Sequence, residues 1–193
     1  MQPSIAIAAT DAQHESTDLD LAAAAREDPR AFGALFQRHR DAVYRFLRAR
    51  GAADDDAAEL TAVTFERAFM AVSRYRESSA GGPLSWLLRI ARNAAIDESR
   101  RRRRTTPLDD LPLAAHADDP AGPEAGLLES EALERVRALV RALPEPQRDA
   151  VILRYATRLP AREIAMVIGK SPAATEKLLV RALATLREAY RVD

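Results

Sequence analysis

The chain has 193 residues, 47% hydrophobic and 30% charged, with 29 basic side chains, 29 acidic ones and no cysteine. That composition is globular, and the lack of cysteine excludes disulfides, thiolate zinc sites and cysteine nucleophiles. No apolar run approaches the roughly 18 residues of a membrane span and the N-terminus lacks the basic and apolar regions of a secretory signal, so a cytoplasmic protein without membrane insertion is expected.

Residues 1–17 show no periodicity and read as a disordered tail. A short helix is expected over 18–28, closed by Pro29. A longer one follows over about 30–50, where Phe32, Leu35, Phe36, Val43, Phe46 and Leu47 recur at three- and four-residue spacings and Gly51 stops the run. One of Asp54, Asp55 and Asp56 is placed to cap the next helix. That helix runs to about Tyr75, with Leu60, Val63, Thr64, Phe65, Ala68, Phe69 and Val72 on its apolar side. The breaker-rich stretch ESSAGGP follows.

A helix opening at Pro83 then carries GPLSWLLRIARNAAIDESRRRRR. Wound at about 100° per residue, Leu84, Leu87, Leu88, Ile90, Ala91, Ala94 and Ala95 share an arc of roughly 160°, the width of a core-facing stripe. Ser85, Arg89, Arg92, Asn93 and Arg100 gather on the other side, Trp86 sits at the seam, and Ile96 stands among the arginines. Cations, an amide and an aromatic on one face suit an unpaired nucleic-acid strand. A solvated basic face with a packing tryptophan would show the same pattern.

The helical pattern dissolves over 105–126, where prolines, glycines and carboxylates follow no period, as in a solvated linker. Residues 105–130 carry six acidic and no basic side chains, between blocks with 17 basic against 15 acidic (1–104) and 12 against eight (131–193). The neutral sum therefore hides two mildly basic blocks. Arginine supplies 27 of the 29 cations, a residue suited to phosphates and guanine edges, though GC-rich codons give the same bias.

Beyond the linker, helices are expected over 127–143, 147–157 and 161–168, the last ended by Gly169. Ser171 caps a final helix with Pro172 at its first position, running to about Arg191. The last two have helix-turn-helix form, with small Ala165 at the centre of the first. Leu178, Leu179, Ala182, Leu183, Leu186 and Ala189 take the core side of the final helix, while Ala173, Lys177, Val180, Arg181 and Ala184 face out. Arg181 suits guanine, Lys177 guanine or phosphate, and Val180 a thymine methyl; Glu176 either accepts from cytosine or weakens binding. No stretch alternates as a strand does. The expected fold is all-α: two small helical domains, 18–104 and 127–193, joined by a flexible acidic linker over 105–126.

Residues 18–191 resemble the extracytoplasmic-function class of bacterial RNA polymerase sigma factors. Two long motifs carry the likeness. AELTAVTFERAF…RYR…SWLLRIARNAAIDESRRR resembles region two, and ALPEPQRDAVILRY…AREIAMVIGKSPAATEKLLVRALATLRE resembles region four. The resemblance implies that Glu59, Leu60, Thr64, Phe65 and Arg67 mark the helix that docks on core RNA polymerase. It implies that Tyr75, Arg76, Ser78, Ser79, Trp86, Arg89, Arg92, Asn93 and Arg100 capture the melted −10 strand of promoter DNA. It implies that Arg162, Ser171, Glu176, Lys177, Val180 and Arg181 meet the −35 element as duplex. An anti-sigma factor is a further candidate partner. Ala62-Val63 stand where the family commonly has a polar-acidic pair, and Glu176 and Leu178 where it often has basic residues, so the −35 preference does not carry over.

A stand-alone helix-turn-helix regulator with a helical effector domain is the alternative. It accounts for 131–193 but not for the arginine-rich, tryptophan-bearing helix. An enzyme is not expected: His14, His39 and His116 are isolated, there is no Gly-rich phosphate loop, and the Asp109-Asp110 and Asp118-Asp119 pairs lie in the linker. No catalytic residue, metal ligand or cofactor is expected.

Overall fold

The computed structural model describes residues 18–76, 81–105 and 127–192, and among these it is helical with no strand. The expected tail, most of the expected linker, and Ser78 and Ser79 lie outside the described residues. Helix α1 covers 18–24. Its Asp18 carboxylate takes a hydrogen bond from Arg38 at 2.6 Å and lies 3.2 Å from the buried His39 ring, which ties α1 to the next helix. His39 thus packs at the α1–α2 contact, beside the Asp18 carboxylate.

Pro29 starts α2 (Pro29–Ala49) as well as following α1, because the Asp28 side chain accepts from the Arg30 amide at 2.8 Å and caps it. Helix α3 (Asp54–Ala71) differs from expectation at both ends. Its N-cap is Ala53, with Asp54, Asp55 and Asp56 inside the first turn. There the three carboxylates favour the positive end of the helix dipole without capping it. At the far end the α-helix stops at Ala71 and tightens into a 3-10 turn, Val72–Arg74.

Helix α4 (Pro83–Thr105) lies across α2 and α3. Phe46, Leu35, Leu47, Leu87, Leu88 and Val43 are fully buried at this junction, each contributing about 1.5–3 kcal/mol by leaving water. Phe65 meets Phe36 and Phe32 edge to face, at 4.8 and 6.4 Å between centroids. The α3 expectation departs at Phe69, which is half exposed and meets the Phe32 ring at 5.1 Å.

The remaining helices are α5 (Leu127–Ala142), α6 (Glu145–Tyr155), α7 (Ala161–Ile168) and α8 (Pro172–Val192). Gly169 adopts the left-handed conformation at φ 69° and ends α7, its successor Lys170 donating back to the Ala165 carbonyl at 2.9 Å. Two residues on, Ser171 Oγ accepts from the Ala174 amide at 3.2 Å and caps α8. Ile164, Ala165, Val167 and Ile168 bury one face of α7, and Leu143, Val151 and Ala182 form a small separate cluster under α5.

The two helical sets touch. Helix α7 packs along α4, and α6 reaches α2. One hydrophobic cluster accordingly runs from Phe46, Leu87 and Ala91 through to Ile152, Ile164 and Val167.

Candidate nucleic-acid interface

Three surfaces follow from this arrangement. The first is an open cleft of about 240 Å³ between α3 and α4, lined among others by Asp56, Glu59, Val63, Arg67, Asp97 and Arg102. Arg102 forks onto Asp56 at 2.5 and 3.0 Å and onto Glu98 at 2.8 Å, while Arg67 reaches Asp97 at 3.1 Å. The hydrogen bond from Arg102 holds the Glu98 carboxyl below its ordinary pKa, and the hydrogen bonds that Arg102 donates to Asp56 and then to Glu98 hold its own proton more tightly than usual. Glu59, Ala62 and Arg67 are exposed, whereas Leu60, Thr64 and Phe65 point into the core. Thr64 and Phe65 shape the helix from behind, while Leu60 also lines the floor of the cleft. Arg101 is also drawn to Glu98 at 2.7 Å, so at least two of the five consecutive arginines serve intramolecular pairs.

The second surface is the polar side of α4. Tyr75 and Trp86 stack with tilted rings 5.0 Å apart, and the Tyr75 hydroxyl donates to the Gly81 carbonyl at 2.8 Å. Both are buried, so Trp86 faces packing partners and not solvent. Arg76 is exposed and donates to the Ser73 and Tyr75 carbonyls. Asn93 and Arg100 are exposed and Arg89 is half-buried. Ser85 and Arg92, which the helical wheel turns outward, are instead covered. Ser85 donates to the Glu163 carboxylate of α7. Arg92 Nε donates to Asp149 Oδ2 at 2.6 Å and its Nη2 to Glu145 Oε1 at 3.3 Å.

Asp149 is the hub of that contact. It is 0% exposed, and its second oxygen accepts from Arg50 at the end of α2. Burial pushes the Arg50 guanidinium down to about 10, with the nearby Arg148 charge acting the same way and Glu145 opposing. Burial also lowers Arg92, again against Glu145. Nothing in the sequence pattern singles out Asp149, because its partners are 57 and 99 residues away. The only local hint is a lone carboxylate beside the apolar run Ala150–Leu153.

The third surface is the outer side of α8. Ser171, Glu176, Lys177, Val180 and Arg181 are exposed there, as is Arg162 on α7, with Val180 at 68%. Half-buried Leu178 and Leu179 and buried Ala182 turn inward as expected, and Thr175 is buried with its hydroxyl on the Ser171 carbonyl. The −35 candidates are thus all exposed, on α7 and α8, while the −10 candidates are spread between open and covered positions and the docking candidates divide between rim and core.

A capped helix-turn-helix joined to an arginine-rich bundle of four helices has the form of a DNA-binding protein. The sigma-70 region 2 family matches residues 35–105, and the sigma-70 region 4 family matches residues 133–186. The extracytoplasmic-function sigma factor SigD of Mycobacterium tuberculosis is 33% identical over 187 residues, covering 91% of this chain and 84% of SigD. BldN of Streptomyces coelicolor is 32% identical over 158 residues, which take in 81% of this chain and 59% of BldN. Among solved structures, CnrH in complex with the cytosolic domain of CnrY is similar at TM-score 0.69 and 25% identity, over 92% of this chain and 99% of CnrH. The chain belongs to the extracytoplasmic-function class of RNA polymerase sigma factors, and its function is that of a sigma factor in transcription initiation.

Proposed function

We propose that the chain binds core RNA polymerase through the α3–α4 cleft, with the exposed Glu59 and Arg67 at its rim as the contacting groups. Arg76, Arg89, Arg92, Asn93 and Arg100, with the Tyr75–Trp86 pair behind them, take the melted −10 strand, where cations meet backbone and a pocket takes an unstacked base. Lys177, Val180 and Arg181 read the −35 duplex from α8, with Ser171 and Arg162 near phosphates. Ser78 and Ser79 belong with the −10 group by sequence position. The observation that carries this reading is the open face of α8, where the cap at Ser171 and the left-handed Gly169 set the first turns of the helix outward.

In this reading the units are 18–104 and 127–193, the protein is not an enzyme, and it works in the cytoplasm; no described helix is long and apolar enough to cross a membrane. An anti-sigma factor is proposed as a partner because CnrH, similar over nearly the whole chain, was solved with the cytosolic domain of CnrY. The region 2 match over 35–105 disfavours a stand-alone helix-turn-helix regulator. Run-off transcription with core polymerase from the native host tests the proposal on fragmented genomic DNA of that host. Specific transcripts should appear with the protein and vanish without it; no new transcript and no co-purification with core would refute it.

A further inference from the structure

Helix α7 is entered through a turn that runs against the preference of its sequence. Arg158, between α6 and α7, takes φ 56°, and among the described residues it is the non-glycine residue found in the left-handed region. Glycine sits there without strain, whereas an L side chain brings its Cβ close to the following carbonyl. The surrounding bonds show why the backbone does not relax. Leu159 is 6% exposed, and its amide donates to the Leu153 carbonyl at 3.2 Å. The Thr157 hydroxyl donates to that same carbonyl at 2.6 Å, and Arg154 Nη1 donates to the Leu159 carbonyl at 3.2 Å. Burying Leu159 under this clamp leaves residue 158 left-handed and exposed.

The turn thus suits glycine and holds arginine. An exposed arginine is commonplace in a chain this rich in the residue; one kept at a strained position points to a use for its charge. Arg158 and Arg162 are exposed, and neither guanidinium has a hydrogen bond or ion pair among the described residues. Arg154 is exposed beside them in sequence, while the nearest carboxylate along the chain, Glu163, is turned onto Ser85. Three cations spaced four residues apart therefore lead into the first helix of the helix-turn-helix. In such a motif the second helix enters the major groove and the first crosses the sugar–phosphate backbone. A guanidinium ahead of the first helix is placed for a phosphate, which the planar arginine fork takes in bidentate fashion.

We propose that Arg158 contacts a backbone phosphate of the −35 duplex, beside the groove that α8 enters, and anchors the helix-turn-helix module there without reading a base. The proposal rests on the assignment of α8 to the −35 element. Position 158 then gives up folding stability for binding, since glycine would hold the same turn without strain and without charge.

Full-length R158G, R158N and R158K, each assembled with core polymerase, test this on a promoter duplex that the wild-type holoenzyme transcribes. R158G removes both charge and strain. Its urea midpoint should equal or exceed that of wild type, its promoter complex should be about fivefold weaker, and the slope of log affinity against log salt should fall by about one. Base substitutions across the −35 element should cost R158G the same factors as wild type. R158N, which tolerates the left-handed region, should lose the same slope, whereas R158K keeps the charge and should retain it. Unchanged affinity and slope in R158G would overturn the proposal. So would an equal loss of slope in R158K, which traces the effect to turn geometry, or a urea midpoint of R158G below wild type, which assigns Arg158 to the fold. A lower yield of R158G holoenzyme would place Arg158 against the polymerase and overturn it as well. K177A and R181A holoenzymes run beside these. If they change the −35 footprint while R158G binds as wild type, Arg158 alone fails; if none of the three has an effect, the α8 assignment fails and Arg158 falls with it.

Discussion

Arg92 and Asp149, in different modules and 57 residues apart, meet through an Nε–Oδ2 hydrogen bond of 2.6 Å on a carboxylate that no solvent reaches. The second arginine on that carboxylate, Arg50, lies 99 residues away in sequence. Removing one partner of a buried charge pair leaves the other uncompensated, at a cost of about 3–5 kcal/mol in rigid surroundings. Here Arg50 remains on the carboxylate, so Arg92→Ala should lower urea stability by less, about 1–3 kcal/mol. A change under about 0.5 kcal/mol in equilibrium unfolding would mean that the pair contributes nothing net.

The docking candidates divide by burial, and mutation should divide them in the same way. Phe65 is 4% exposed among Phe36 and Phe32, so Phe65→Ala should cost about 3–5 kcal/mol and melt the first module. Glu59→Gln, on the exposed side of α3, should leave the melting temperature unchanged and weaken association with core polymerase. Thermal melting beside a core pull-down checks both; loss of stability in the Glu59 variant would remove it as a docking group.

Gly169 isolates a backbone term. A Cβ added there would meet nothing within 4 Å, yet φ is 69°. Gly169→Ala should therefore cost about 1–2 kcal/mol from left-handed strain alone. Ser171→Ala, which removes the cap on the Ala174 amide, should cost about 0.5–2 kcal/mol. Urea titration of the full chain reads both, and a neutral Gly169→Ala would show that the turn relaxes.

On α8, Arg181→Ala should weaken −35-dependent initiation by about 1–3 kcal/mol and relax preference at one base position, whereas Lys177→Ala in a phosphate role should lower the salt slope by about one without changing preference. Footprints of the holoenzyme at graded salt separate the two. An unchanged footprint with the Arg181 variant would remove that residue from base reading.

The sequence by itself determined the helices and their order. Periodic apolar residues placed α2, α3, α4 and α8, and Pro83, Gly169 and Ser171 marked ends that the structure keeps. These are local signals, carried within a turn or two of chain, as are the two motifs that mark the family. Tertiary structure decided which polar groups are covered. A helical wheel sends Ser85 and Arg92 to solvent, and only the arrival of α6 and α7 buries them. It also gave Asp149 partners that no spacing rule connects, and turned Trp86 from the seam of a helix into the Tyr75 stack. The physical reason is range. Helix formation reads neighbours three and four residues apart, whereas the burial of a charge depends on which distant charges the fold brings to meet it.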